Sequence, residues 1–108
     1  LTGICIILFI LSRIHVMFLP LYWDEAWVYG PAINIMAEKG LSLSPDILPV
    51  YYSRGHPLLF HFLGASWIKI FGNSMFSLHS FAMVVSLILM IFVYKFGKEF
   101  YSKKQGLF

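Results

Sequence analysis

Apolar residues fill this chain in long blocks that short polar or proline-bearing stretches separate, and the blocks predict helices. Residues 1–11 are apolar apart from Thr2; Ser12, Arg13 and His15 interrupt the run before 16–22 resumes it. A membrane-crossing helix needs about 20 mostly apolar residues to cover about 30 Å of hydrocarbon. Residues 1–21 are therefore read as a first transmembrane helix, with Arg13 snorkelling to the surface or facing protein. A secretory signal peptide is the alternative, but its apolar core is shorter, and the small-x-small cleavage pattern it requires does not follow here. A second span is clearer. Residues 74–94 hold no Asp, Glu, Lys or Arg, which is about 31 Å of helix at 1.5 Å per residue. Lys95, Gly97 and Lys98 bound this span, placed at 74–97, with Tyr94 and Tyr101 as interfacial anchors.

The intervening residues 22–73 are not simply polar. A helix is expected over about 24–39, broken at Gly30-Pro31, where Pro31 suits the first helical position of the second half and Gly40 supplies the stop. Pro45, Pro49 and the serines of 41–55 read as loop. A further helix is expected over about 57–71, apolar enough to touch lipid yet in the length range of an interfacial or re-entrant segment. The sequence thus predicts an all-α membrane protein in which two transmembrane helices are joined by an outer loop carrying two in-plane, juxtamembrane helices. With a third span instead, that loop and the C-terminal tail would share one side. Residues 98–108 are read as a cytoplasmic loop leading to a further span. Because the chain opens on Leu1 and closes on Gly106-Leu107-Phe108, it is expected to be part of a larger polytopic bundle.

Composition narrows the class. Charged residues make up 12% and hydrophobic ones 59% of the chain, against about 25% charged in soluble domains. This excludes a soluble enzyme, a disordered segment, a coiled coil and a nucleic-acid binder. The net charge of +3 is concentrated in the tail, where Lys95, Lys98, Lys103 and Lys104 face only Glu99, so the tail reads as a cytoplasmic flank. The middle of the chain is slightly acidic. Trp23, Trp27, Tyr29, Tyr51, Tyr52 and Trp67 load it with rings suited to the headgroup level of a membrane. The single cysteine, Cys5, gives no disulfide or zinc framework.

Two clusters carry candidate chemistry. Asp24-Glu25 directly follows the first apolar run. As a structural feature, Asp24 caps a helix starting at Glu25 and both acids favour its positive end. As a functional one, a carboxylate at the outer headgroup level acts as general base toward a hydroxyl or holds a divalent cation. In Arg54-Gly55-His56-Pro57, Pro57 marks a loop-to-helix junction, and Arg beside His at a helix N-terminus is also a phosphate-binding arrangement. His79, about one and a half turns into the second span, is read either as a functional intramembrane group or as a neutral helix contact. Arg13, 11 residues before Asp24, is read as a snorkelling residue, with pairing to an acid or a lipid phosphate as the alternative; His61 and Lys69 are read as surface residues, and Met75, Met83 and Met90 as apolar packing.

The order of these features resembles the polytopic glycosyltransferases of the C superfamily, in particular the bacterial family related to protein O-mannosyltransferases and to the aminoarabinose transferase of lipid A. The features are Asp24-Glu25-Ala26 after a span, Tyr29, the Gly40 stop, His56-Pro57-Leu58 opening a helix that ends at Phe71-Gly72, and a span closing on Tyr94-Lys95-Phe96-Gly97-Lys98. The likeness runs over the whole chain and corresponds to the N-terminal part of such an enzyme. It implies transfer of a sugar, with inversion, from a polyprenyl-phosphate donor to a lipid, glycan or protein acceptor outside the cytoplasmic membrane, with membrane lipids as surroundings and no nucleic acid. Asp24 matches the acid that serves as catalytic base or positions the acceptor, and Glu25 its catalytic neighbour. Arg54, His56 and His79 are expected toward the substrate phosphate, and Asp24, Glu25 and His56 are the candidates for a divalent metal. The chain departs from the family pattern at Pro57-Leu58, where many relatives carry a double proline. It also lacks an Arg near the start of the following span, where His79 is the nearest candidate.

The chemistry agrees with the placement. No nucleotide sugars exist outside the membrane, so the activated sugar arrives on a lipid phosphate and its site lies at the outer headgroup level. A transporter or flippase fragment is the alternative from another class, but transporters set ionisable groups and helix breaks at the bilayer midplane, whereas here the acids are interfacial. A non-catalytic membrane assembly subunit is the third; it predicts that replacing Asp24 affects stability alone.

Overall fold

The computed structural model describes residues 2–23, 25–53, 55 and 57–100. They form helices joined by short turns, with no strand among the described residues. The first helix, α1, covers Thr2–Ile14, so the helical part of the first apolar block is shorter than the 1–21 stretch expected. Its end falls at the polar interruption. Ser12 Oγ donates to the Phe9 carbonyl at 2.7 Å, an alternative to continuing the ladder that weakens helices. The chain then leaves in tight turns, with Val16 N–H on the Arg13 carbonyl at 3.0 Å and Leu19 N–H on the Val16 carbonyl at 3.1 Å.

A π-helical turn over Glu25–Tyr29 runs directly into α2, Gly30–Lys39. The Gly30-Pro31 break therefore shows up as a change of helix pitch: Tyr29 keeps helical dihedrals (φ −67°, ψ −46°) and Pro31 sits in the first turn of α2, where its missing N–H leaves one bond out of the ladder at the π-to-α junction. Gly40 ends α2 at φ +119° with its N–H on the Met36 carbonyl at 3.1 Å. A 3-10 turn, Pro45–Ile47, and one helical turn, α3, Val50–Ser53, follow within the expected loop. The next helix, α4, spans Leu58–Phe71, starts just after extended Pro57 and closes at Gly72. The last, α5, spans Met75–Phe100. Ser74 caps it, its Oγ accepting the Ser77 N–H at 3.1 Å. It runs past the 97 expected because one glycine near a helix end costs only about 1 kcal/mol.

The core lies where α2 crosses α4. Ala32, Ile33 and Met36 of α2 meet Ala65 and Ile68 of α4, and Leu48 of the intervening loop covers them. On α4 the buried positions are His61, Gly64, Ala65 and Ile68, an i, i+3, i+4, i+7 stripe that defines one helix face. Gly64 is needed for the close approach: a Cβ there would lie 2.6 Å from Ile33 Cδ1 and 2.9 Å from its Cγ1. His61, expected at the surface, is fully buried in this stripe, with its ring 5.6 Å from that of Tyr29. Lys69 is exposed as expected.

Phe81 brings α5 onto this pair through ring contacts with Phe60 at 5.1 Å and Trp67 at 6.0 Å. Asn73 Nδ2 donates to Asn34 Oδ1 at 2.7 Å, tying the α4–α5 turn to α2. The radius of gyration, 16.1 Å, exceeds the ~13 Å of a compact domain this size, because α5 projects beyond the core. Along that projection Ile88, Leu89, Phe92, Val93 and Phe96 are exposed, as are Ile4, Ile7, Leu8, Leu11 and Ile14 of α1. Among the described residues α5 is the one helix long and apolar enough to cross a membrane; α1 and α4 are shorter apolar helices.

Candidate functional site

The chain between α1 and α2 turns sharply before its first acid. Trp23 takes a positive φ of 47°, a left-handed conformation rarely used by bulky residues. Around it the Glu25 N–H bonds the Tyr22 carbonyl at 3.1 Å and the Trp27 N–H bonds the Trp23 carbonyl at 2.9 Å. This folds the Glu25 side chain back over its own turn, where Oε2 accepts the Tyr22 N–H at 3.4 Å.

His79 reaches the same place from α5, whose start is fixed by the Ser74 cap and by the Asn73–Asn34 bond. Its Nδ1 lies 3.1 Å from the Met17 carbonyl oxygen. A carbonyl only accepts, so Nδ1 carries the hydrogen and donates, and Nε2 points the other way. There it lies 3.6 Å from Glu25 Oε2, an ion pair when the imidazole is protonated. The His79 side chain is 12% exposed and that of Glu25 50%, so the histidine is the fixed partner and the carboxylate keeps an open side.

The two residues stand between two cavities. One, of about 340 Å³, opens between α1 and α5 and is lined by Arg13, Tyr22, Glu25, His79 and Ser86 together with apolar side chains that include Phe9 and Met83. The Arg13 guanidinium lies over the Phe9 ring at 5.6 Å. The other cavity, of about 200 Å³, is mostly apolar, with Leu21, Ile33, Phe60, Leu78 and Phe81 around the same Glu25 and His79. An amphiphilic ligand at this end of the molecule would meet a carboxylate, an imidazole and a guanidinium on one side and apolar walls on the other.

Of the residues singled out in the sequence, Glu25 and His79 are brought together. Asp24, Arg54 and His56 lie outside the described residues. Two of the three metal candidates are among them, and within the described residues no three His, Cys, Asp or Glu side chains gather. Sequence reasoning missed the Met17 carbonyl that orients His79, since a backbone acceptor leaves no mark in the sequence. Arg13, for which pairing with an acid was the alternative to snorkelling, shares a cavity lining with Glu25.

A family model described as dolichyl-phosphate-mannose-protein mannosyltransferase matches residues 55–108, half of the chain. The chain belongs to this family. The match runs through α4 and α5, so the mannosyltransferase family includes His79 in its matched segment, while Glu25 lies upstream of it. This is a family of glycosyltransferases, which supports glycosyl transfer as the chemistry. No curated protein and no solved structure matches the chain.

Proposed function

We propose that the chain is part of an integral membrane glycosyltransferase that moves a sugar from a polyprenyl-phosphate donor to an acceptor outside the cytoplasmic membrane, with inversion. The observation that carries this reading is the family match over α4 and α5. In this reading α5 crosses the bilayer, the first apolar block enters it beside α5, and α2 and α4 lie near the outer headgroup level. The exposed apolar faces of α1 and α5 are consistent with lipid or with neighbouring spans, and the lysine-rich tail with the cytoplasmic side.

The chemistry assigned to the site follows from the bonds that change. The acceptor hydroxyl attacks the anomeric carbon from the face opposite the phosphate; its proton passes to a carboxylate of the Asp24-Glu25 pair as the C–O bond forms. The bond from that carbon to the phosphate oxygen breaks, and the oxygen leaves with the electron pair as polyprenyl phosphate. Arg54 and His56, adjacent in sequence to the start of α4, are assigned to the leaving phosphate. Preorganised cationic donors there contribute several kcal/mol. The acceptor is a lipid, glycan or protein hydroxyl.

The test compares the full-length protein with its Asp24→Asn variant, at matched membrane levels, for sugar transfer from a polyprenyl-phosphate-sugar donor. Transfer by wild type and its loss in a folded variant supports the assignment. Undiminished transfer by Asp24→Asn removes that carboxylate from the mechanism, and absence of transfer by wild type across donors rejects the glycosyltransferase reading.

A further inference from the structure

We infer that His79 is a positioning residue for Glu25, assigning one carboxylate oxygen to the protein and leaving the other to substrate. This inference rests on the proposed reading that the acid pair serves the acceptor side of glycosyl transfer. It departs from the sequence expectation that His79 faces the phosphate.

Three contacts carry it. Nδ1 of His79 is anchored on the Met17 carbonyl at 3.1 Å. That anchor sets the ring plane and directs Nε2 at Glu25 Oε2, 3.6 Å away; because Nδ1 already carries the one hydrogen of a neutral ring, this contact is attractive as an imidazolium–carboxylate ion pair. The same oxygen takes the Tyr22 N–H at 3.4 Å. Both protein contacts thus converge on Oε2, and Oε1 has no protein partner among the described residues. A carboxylate held by one oxygen at the rim of a cavity presents the other in a fixed direction, which is what a group acting on an incoming hydroxyl needs. A phosphate ligand would instead want the imidazole open. Here one ring nitrogen is occupied by a carbonyl and the other faces a carboxylate, so His79 addresses protein on both sides. The geometry also links three separate stretches, the turn after α1, the π-helical turn and α5, so the position of Glu25 depends on how α5 docks.

Amide isosteres separate this role from a plain helix contact. An Asn side chain places its N–H near the position of Nδ1 and keeps the Met17 bond; a Gln side chain places its N–H near the position of Nε2 and keeps the donor toward Glu25. The full-length protein is assayed for transfer from a polyprenyl-phosphate-sugar donor with His79→Asn, His79→Gln and His79→Leu. The expected result is a loss of about 10- to 100-fold in kcat for Asn and Leu, with the donor KM within about twofold of wild type, and recovery of most of the rate by Gln. Rescue by Asn and not Gln overturns the inference in favour of the Met17 contact alone. A loss confined to donor KM overturns it in favour of phosphate binding, and unchanged rates in all three overturn it outright.

Absence of transfer by wild type is a failure of the proposed reaction, and the clamp is then judged without it. Melting midpoints are compared for Glu25→Gln, His79→Leu and the double variant in detergent. A double variant that melts higher than the two single losses together require supports the contact, and strictly additive losses overturn it.

Discussion

The packing of α4 on α2 makes a sharp prediction at Gly64. Replacing it with alanine removes helix-interior glycine, which by itself favours the folded state by about 1 kcal/mol. The new Cβ would sit 2.6 Å from Ile33 Cδ1, 2.9 Å from Ile33 Cγ1 and 3.3 Å from Phe81 Cε1. The Cδ1 contact could be relieved by rotating the tip of Ile33, but the Cγ1 contact could not. Ile33 is 2% exposed, so its side chain cannot swing out into solvent to make room. Overpacking of this kind costs about 1–3 kcal/mol, and with two of three neighbours on one buried side chain we take the upper part of that range. Gly64→Ala is therefore expected to destabilise by about 1–2 kcal/mol net. Ile33→Val alone deletes the Cδ1 methyl and costs about 0.5–1.5 kcal/mol. In the double variant the alanine methyl fills the space the Cδ1 vacates. Ile33→Val with Gly64→Ala should therefore lose less stability than the two single losses added together, a non-additivity that contact pairs show and distant pairs do not. The assay is denaturant unfolding of the purified protein in detergent, followed by tryptophan fluorescence. Strictly additive losses would refute the packing described for α2 and α4.

Two further predictions address a helix end and the exposed apolar surface of α5. At Gly40, φ +119° and ψ 147° fall in a region open essentially to glycine alone, so Gly40→Ala should cost about 1–3 kcal/mol in the same unfolding assay; an unchanged midpoint would contradict the stop to α2. Leu89, 62% exposed near the middle of α5, faces lipid in the proposed topology. Leu89→Arg should then disfavour insertion by about 3–4 kcal/mol, read as a lower inserted fraction in a translocon glycosylation assay, and equal insertion would argue that this face meets no hydrocarbon.

Much of the local structure was legible because it depends on local chemistry. The stops at Gly40 and Gly72, the break at Gly30-Pro31 and the charge-free run of α5 all follow from backbone preference and hydropathy within a few residues. In the first apolar block the polar interruption at Ser12, Arg13 and His15 is visible in the sequence, but not that the helix ends there, at Ile14, with Ser12 bonded to the Phe9 carbonyl. His61 was misread for a different reason. A histidine suggests a surface, yet its spacing to Gly64, Ala65 and Ile68 already marked the buried face of α4. The pairing of Glu25 with His79 was out of reach, since two helices and a loop separate them in sequence and the contact exists only because α4 docks on α2 and turns α5 back. The bond from His79 to a backbone carbonyl is likewise a product of tertiary geometry.

These pieces converge on Glu25, which the fold holds through one oxygen at the edge of a cavity shared with Arg13 and His79. The most direct measurement is the rate of sugar transfer from a radiolabelled polyprenyl-phosphate donor by the full-length protein and its Glu25→Gln variant, in membranes with matched protein levels and matched melting midpoints. The account predicts that the variant loses at least about 100-fold in kcat, the contribution of a positioned acid–base group, while still binding donor. Transfer by Glu25→Gln at the wild-type rate would contradict it.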